Sequence, residues 1–148
     1  MPAPRSGGRG RRRILLPLTL VVVAAAVALL GPRLLRAHAA LQWTRYHAMQ
    51  APDDYGQHAR GAAQWATRAL GEAAPLPWGR EACRLALDFG ARQELTNRAA
   101  ALALYERVRT ALEATSADRW RGFGLTALLD EARQREAGLR QIGAGDGP

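Results

Sequence analysis

The chain contains no lysine, a single cysteine and only two isoleucines, and no acidic residue precedes Asp53. Each shortage excludes something. One cysteine, Cys83, leaves no intrachain disulfide framework and no multi-cysteine zinc site. With isoleucine limited to Ile14 and Ile142, and valine largely gathered near the N-terminus, an all-β fold is not expected. Without lysine, Gly7-Gly8-Arg9-Gly10 cannot be a phosphate-cradling loop, and no strand precedes it. All 21 basic residues are therefore arginine, against 13 acids, for a net charge of +8. Five of them (Arg5, Arg9, Arg11, Arg12, Arg13) precede the first apolar run; from Gly31 onward 16 Arg face 13 acids. A length of 148 residues allows at most one ordinary domain beside the leader.

Ile14 to Gly31 (ILLPLTLVVVAAAVALLG) carries no charge, and Thr19 is its one strongly polar side chain. Eighteen residues at about 1.5 Å each make roughly 27 Å of helix, close to the hydrocarbon thickness of a bilayer. Pro17 suits a first turn, and Gly31-Pro32 predicts a stop or kink at the far side. Such a helix satisfies its own backbone in lipid, so the segment is expected to span a membrane. The arginine-rich tail orients it, N-terminus in the cytoplasm and residues 32–148 on the periplasmic side of a bacterial inner membrane. Attraction to anionic lipid headgroups is the simplest use of those arginines, ahead of a twin-arginine export signal or a nucleic-acid-binding arm. Ala37-His38-Ala39 also has the small-x-small form of a signal-peptidase site. Against cleavage, the apolar run is long, and Arg33 and Arg36 lie between it and the cut.

The body reads as five helices. Pro32 to Met49 places Leu34, Leu41 and Ala48 at heptad spacing, with Ala37 between. Pro52-Asp53-Asp54 breaks the chain and caps a second helix running to about Leu70, with Tyr55, Ala59, Ala62, Trp65, Ala66 and Ala69 on its apolar face. Pro75-Leu76-Pro77 punctuates before a third helix to Leu95, which aligns Trp78, Ala82, Leu85, Ala86 and Phe89. Thr96-Asn97 caps a fourth, Arg98 to Thr115, with Ala101, Leu104, Tyr105, Val108, Ala111 and Leu112 inward. Its Arg98, Glu106, Arg109 and Glu113 are expected to form a solvated face, Glu106 pairing with Arg109. Thr115-Ser116 caps a fifth helix that opens at Asp118 and includes Trp120, Phe123, Leu125, Leu128, Leu129 and Ala132. Gly122 and Gly124 weaken its start, so regular helix is expected only after Leu125. The GAGDGP ending from Gly143 predicts a flexible tail.

Within residues 78–115, the stretch LALDFGARQELTNRAAALALYERVRTAL resembles the tetratricopeptide family of helical-hairpin repeats. Leu85, Gly90, Ala101 and Tyr105 stand in the roles of that family's apolar position, first-helix glycine and Ala-x-x-x-Tyr. The match needs roughly one residue fewer than the usual 34-residue repeat. Asn97 stands near the family's Gly-Asp turn. A second unit with Trp65, Ala66 and Leu70 lacks the glycine and aromatic in register. The resemblance implies a binding or assembly role and carries no catalytic residue.

Chemistry-bearing residues are sparse. His38, His47 and His58 lie nine and eleven apart, without metal-ligand spacing. Cys83 has no histidine in its own helix or the next to serve as a base. It reads as a small core residue, with an intermolecular disulfide left open. Asp53-Asp54 is a cap, and Asp130-Glu131 belongs to a mid-helix charged run. Trp43 and Tyr46 have two readings, a ring belt at the lipid surface or packing of Trp43 on Trp65 or Trp78.

The expectation is an all-α protein: a basic cytoplasmic tail (1–13), a transmembrane helix (14–31), an α-helical tetratricopeptide-like domain (32–142) and a flexible tail (143–148). No catalytic, cofactor or metal site and no nucleic-acid partner is expected. The partners are anionic lipid at the N-terminal arginines and another protein, with Arg84, Arg92 and Arg109 as exposed contacts; a homo-oligomer is left open. The expected role is a membrane-anchored, non-catalytic scaffold or adaptor. The alternatives are an accessory subunit whose span packs on others through Ala24-Ala25-Ala26 and Ala28, or a secreted helical protein cut after Ala39.

Overall fold

The computed structural model describes residues 9–72, 77–116 and 124–145, with side chains for 20–72, 77–115 and 124–143. The protein is all-helical: α1 (Arg9–Met49), α2 (Gln57–Glu72), α3 (Pro77–Gln93), α4 (Arg98–Ser116) and α5 (Thr126–Gly145). The chain divides into two units, Met1–Arg33 and Leu34–Pro148. Pro75-Leu76, the opening of the fifth helix at Asp118 with Trp120 and Phe123, and the last three residues lie outside the described residues.

In the first unit, Leu20, Val21, Val22, Val23, Val27, Leu29 and Leu30 are each 54–74 % exposed. Consecutive aliphatic residues leave this stretch with no polar face, the character of a helix buried in a large core or in lipid. α1 is long and apolar enough to cross a membrane near the N-terminus. Helical backbone starts at Arg9, inside the expected tail, and Gly31-Pro32 does not end it. Proline removes one backbone hydrogen bond, but strong helix formers flank it on both sides, Ala28-Leu29-Leu30 and Leu34-Leu35-Arg36.

The second unit begins with the last four turns of α1, where Ala37, Ala40, Leu41, Thr44 and Ala48 are buried. Leu34 falls off that stripe, and the Thr44 hydroxyl donates to the Ala40 carbonyl at 2.9 Å. α2 then packs on α3 and α4, α3 on α4 and α5, and α4 on α5. The α2 face is almost wholly alanine: Ala59, Ala62, Ala63, Ala66 and Ala69, closed by Leu70. Tyr55, expected on that face, is 78 % exposed, because α2 starts two residues beyond it.

Two corners are tied by side-chain amides. The Asp53 carboxylate accepts the N–H groups of Gln57 (3.1 Å) and His58 (3.2 Å), four and five residues on, where a simple N-cap reaches two or three. The extra length is taken up by Gly56 at φ +63°, where a Cβ would strike Ala100. Gln93, fully buried, donates to the Asp53 carbonyl and accepts its N–H at 3.2 Å. Asn97 accepts the Ala100 N–H at 2.9 Å, capping α4, and donates to the Asp54 carbonyl at 2.5 Å.

α3 and α4 meet at a glycine. A Cβ on Gly90 would lie 2.6 Å from Tyr105 Cε1 and 3.1 Å from Leu104 Cδ2. The fully buried Tyr105 ring thus occupies the volume that any other side chain at position 90 would need. α5 starts at Thr126, after Leu125, and runs to Gly145, so Gly143–Gly145 are helical rather than part of a loose tail.

These contacts set the sign of two glycine substitutions. Gly138 in α5 has open space around a Cβ, so Gly138→Ala is expected to stabilise by about 0.5–1 kcal/mol through helix propensity alone. Gly90→Ala gains the same propensity but must displace the buried Tyr105 and Leu104, and is expected to destabilise by about 1–3 kcal/mol. Denaturant unfolding of the detergent-solubilised chain, followed by circular dichroism, measures both; equal signs would mean a slack α3–α4 contact.

Candidate functional site

Two surfaces gather the polar and aromatic side chains, an ionic seam and an aromatic corner. The seam joins α4 to α5. The side chain of Glu136 is only 6 % exposed, and both its oxygens are used: Oε2 accepts from Arg109 Nε at 2.6 Å and Oε1 from Arg140 Nη2 at 2.7 Å. Arg109 also reaches Glu113 at 2.7 Å, and Glu113 in turn takes Arg133 at 3.0 Å. Hydrogen bonds donated to Glu136 and Glu113 raise the Arg109 pKa, while those from Arg133 and Arg109 hold the Glu113 carboxyl below its usual range. Beside the seam, Arg84 reaches Glu131 at 2.7 Å, and Tyr105 donates to Glu94 at 2.5 Å. Burial, then the hydrogen bond to Glu94, raises the Tyr105 pKa.

The seam corrects two expectations. Arg109 and Glu113 do not lie on a solvated face, because α5 covers them, and Arg109 pairs with Glu113 and Glu136 rather than Glu106. Glu106 reaches Arg140 instead, at 3.8 Å. Of the three arginines expected as exposed contacts, Arg84 and Arg92 are exposed and Arg109 is half-buried. Arg84 holds Glu131, Arg109 holds the seam, and Arg92 donates to the Ala48 carbonyl with its guanidinium 5.2 Å over the Phe89 ring. The groove of about 450 Å³ along Arg109, Glu113, Arg133 and Glu136 is accordingly lined by groups that already satisfy one another.

The aromatic corner forms where α1 ends and α2 begins. Trp43 stacks on Trp65 with ring centroids 5.9 Å apart at 19°, and Tyr46 meets Trp43 edge-on at 5.8 Å. The Arg68 guanidinium lies 5.3 Å over Trp65. Trp43 therefore packs on Trp65, yet Trp43 and Tyr46 remain 49 % and 51 % exposed. His38 packs edge-on against Trp78 at 5.6 Å and accepts from Gln42. His47 and His58 bring their Nδ1 atoms to 3.2 Å, one ring donating and the other accepting. Their separation of eleven residues gave no sign of this pairing; the Pro52 break, which turns the chain back on itself, was the available signal. Gly61 makes the pairing fit, since a Cβ there would lie 2.5–2.7 Å from three atoms of the His47 ring. Burial, then the His58 ring, holds the His47 pKa below the ordinary histidine value.

A groove of about 660 Å³ is lined by Arg45, Ala48, Met49, Leu85, Asp88 and Arg92. Arg45 is paired there with Glu81. Cys83 is completely buried and its thiol is pushed up to about 12 by burial, so the folded chain presents no sulfur to a second copy. The intermolecular disulfide left open by the sequence is thus out of reach. Among the described residues, no group of three or more His, Cys, Asp or Glu is placed to hold a metal.

Replacing Glu136 with Ala is expected to cost about 1–3 kcal/mol, because two guanidinium groups lose charged acceptors at a nearly dry position. Glu106→Ala, which removes only an exposed pair, is expected to stay within about 0.5 kcal/mol; comparable losses in denaturant titrations would contradict the seam. For His47 the folded pKa lies below the unfolded one, so the unfolded chain binds more protons as pH falls. Stability is expected to hold above pH 6.5, the ordinary histidine value, and to decline below it, with a shallower decline in His47→Gln. The effect of Glu113 has its own window, below its ordinary value of 4.5. Unfolding midpoints measured from pH 7.5 to 5.5 separate the two.

No known protein family, curated protein or solved structure matches the chain, so a functional reading rests on the chemistry of its own residues.

Proposed function

We propose that the chain is a single-span membrane adaptor of the bacterial inner membrane. Its apolar helix lodges in the bilayer with the arginine-rich N-terminus in the cytoplasm, and its helical bundle works in the periplasm without catalysis. The observation that carries this reading is the row of aliphatic side chains from Leu20 to Leu30, exposed in a chain whose other helices close around their own core. Leaving that row in water is costly, and lipid removes the cost. The five N-terminal arginines and the absence of acids before Asp53 support the orientation.

The anchor keeps the bundle near the bilayer and raises its effective concentration toward membrane partners. Docking falls to the Arg45–Arg92 groove and the half-exposed aromatic corner. The Gly90–Tyr105 contact supports the tetratricopeptide-like reading of α3 and α4. Retention of the leader is supported by Ala37, His38 and Ala39 being helical, with Ala37 and Ala40 buried in the bundle core. Cleavage after Ala39 would strip Ala37 from that core.

Crosslinked affinity purification from membranes tests the adaptor, using the full chain and a variant lacking residues 34–148. The full chain is expected to require detergent for extraction, to keep its intact mass, and to capture partners that the truncated variant loses. An unchanged partner set in the truncated variant would favour the accessory-subunit role, with Ala24, Ala25, Ala26 and Ala28 packing on other spans. A mature product starting at Ala40 would end the anchor reading.

A further inference from the structure

We propose that His47 and His58 form a two-imidazole binding site for a borderline divalent cation of the zinc and copper class. The pair comes from two different helices and is held by backbone features rather than by chance side-chain contact. His47 sits in the last turn of α1 on the bare backbone of Gly61, and the His58 N–H is fixed by the Asp53 carboxylate. A tetrahedral ion bound at about 2.0–2.1 Å by two imidazole nitrogens separates those nitrogens by about 3.3–3.4 Å. The observed Nδ1–Nδ1 distance is 3.2 Å, so the nitrogens need to part by only a fraction of an ångström, while each ring turns its lone pair off the line between them and toward the ion.

The protonation states also match. As two neutral rings, the pair shares one Nδ1–H; moving that proton to Nε2 of the same ring frees both Nδ1 lone pairs without net proton release. Imidazole nitrogen selects zinc, copper and nickel over magnesium and calcium, which prefer oxygen. No third His, Cys or carboxylate joins the pair among the described residues, so water fills the other positions and the ion exchanges readily. Its effect is to clip the end of α1 to the start of α2. This follows from the bundle alone and is independent of the adaptor role.

The Trp43 ring lies 6.5 Å from the His47 ring, which makes copper binding visible. The probes are Cu2+ and Zn2+, each added alone to the untagged full chain in detergent. Cu2+ is expected to quench tryptophan emission saturably at one ion per chain, and Zn2+ but not Mg2+ to raise the unfolding temperature. His47→Gln and His58→Gln are each expected to weaken both effects at least about ten-fold, since even residues that only support a ligand cost that much. His38→Gln, whose ring faces Trp78, is expected to change neither. Because a variant can misfold, electron paramagnetic resonance of bound Cu2+ on the unaltered chain is the second measurement, with two imidazole nitrogens expected. Unsaturable quenching, a Zn2+ response shared by Mg2+, full binding by His58→Gln, or fewer than two nitrogens would each overturn the site.

Discussion

The bundle depends on how closely alanine lets α2 approach its neighbours. Ala59, Ala62, Ala63, Ala66 and Ala69 present a face one methyl deep, and Ala82, Ala86 and Ala101 answer it from α3 and α4. Each such methyl contributes only about 0.8 kcal/mol on burial, so an alanine core is thin in hydrophobic energy. It gains instead from dense packing, because short side chains lose no rotamer freedom and leave few gaps. The larger volumes are spread among the helices: Leu41 in α1, Leu70 in α2, Leu87 and Phe89 in α3, and Leu104, Tyr105, Val108 and Leu112 in α4. Gly79 and Gly90 carry the same logic further, where a Leu70 backbone and a Tyr105 ring occupy the space of a Cβ.

Close helices demand tight corners, and tight corners expose backbone groups that must be paired. Gln93 and Asn97 meet that demand from the α3–α4 turn by reaching across to Asp53 and Asp54. One amide satisfies both backbone groups of Asp53, and the other caps α4 while taking a carbonyl of the neighbouring corner. The two corners therefore hold each other. Among the described residues, one oxygen of Asp53 is buried without a hydrogen-bond partner.

The helices were legible because their apolar positions recur every three or four residues and because proline, asparagine and aspartate punctuate them. The third and fourth helices could be read to within two residues at either end. What was not legible depends on which helix lies opposite which face. Nothing in Arg98–Thr115 alone says that α5 covers Arg109 and Glu113, so that face reads as solvated until α5 is in place. Likewise His47 and His58 read as unrelated, since spacing along the chain reports on one helix at a time and their meeting is made by the corner between two. Gln93 was silent for the same reason: its partners lie forty residues away. Gly31-Pro32 misled in the opposite direction, a strong local breaker overridden by the helix formers beside it.

The absence of lysine, at first only a curiosity of composition, becomes a structural property once the charges are placed. The guanidinium has five donors in a planar fork, whereas an ammonium is a compact point charge. Arg109 uses that fork to serve two carboxylates at once, Nε to Glu136 and Nη1 to Glu113. Arg135 approaches Glu131 and Glu94 while its guanidinium lies 6.0 Å over the Tyr105 ring. Arg68 and Arg92 lie over Trp65 and Phe89. These bridging and stacking roles suit planar cations. Small apolar faces bring the helices together around buried leucines, and arginine links their margins.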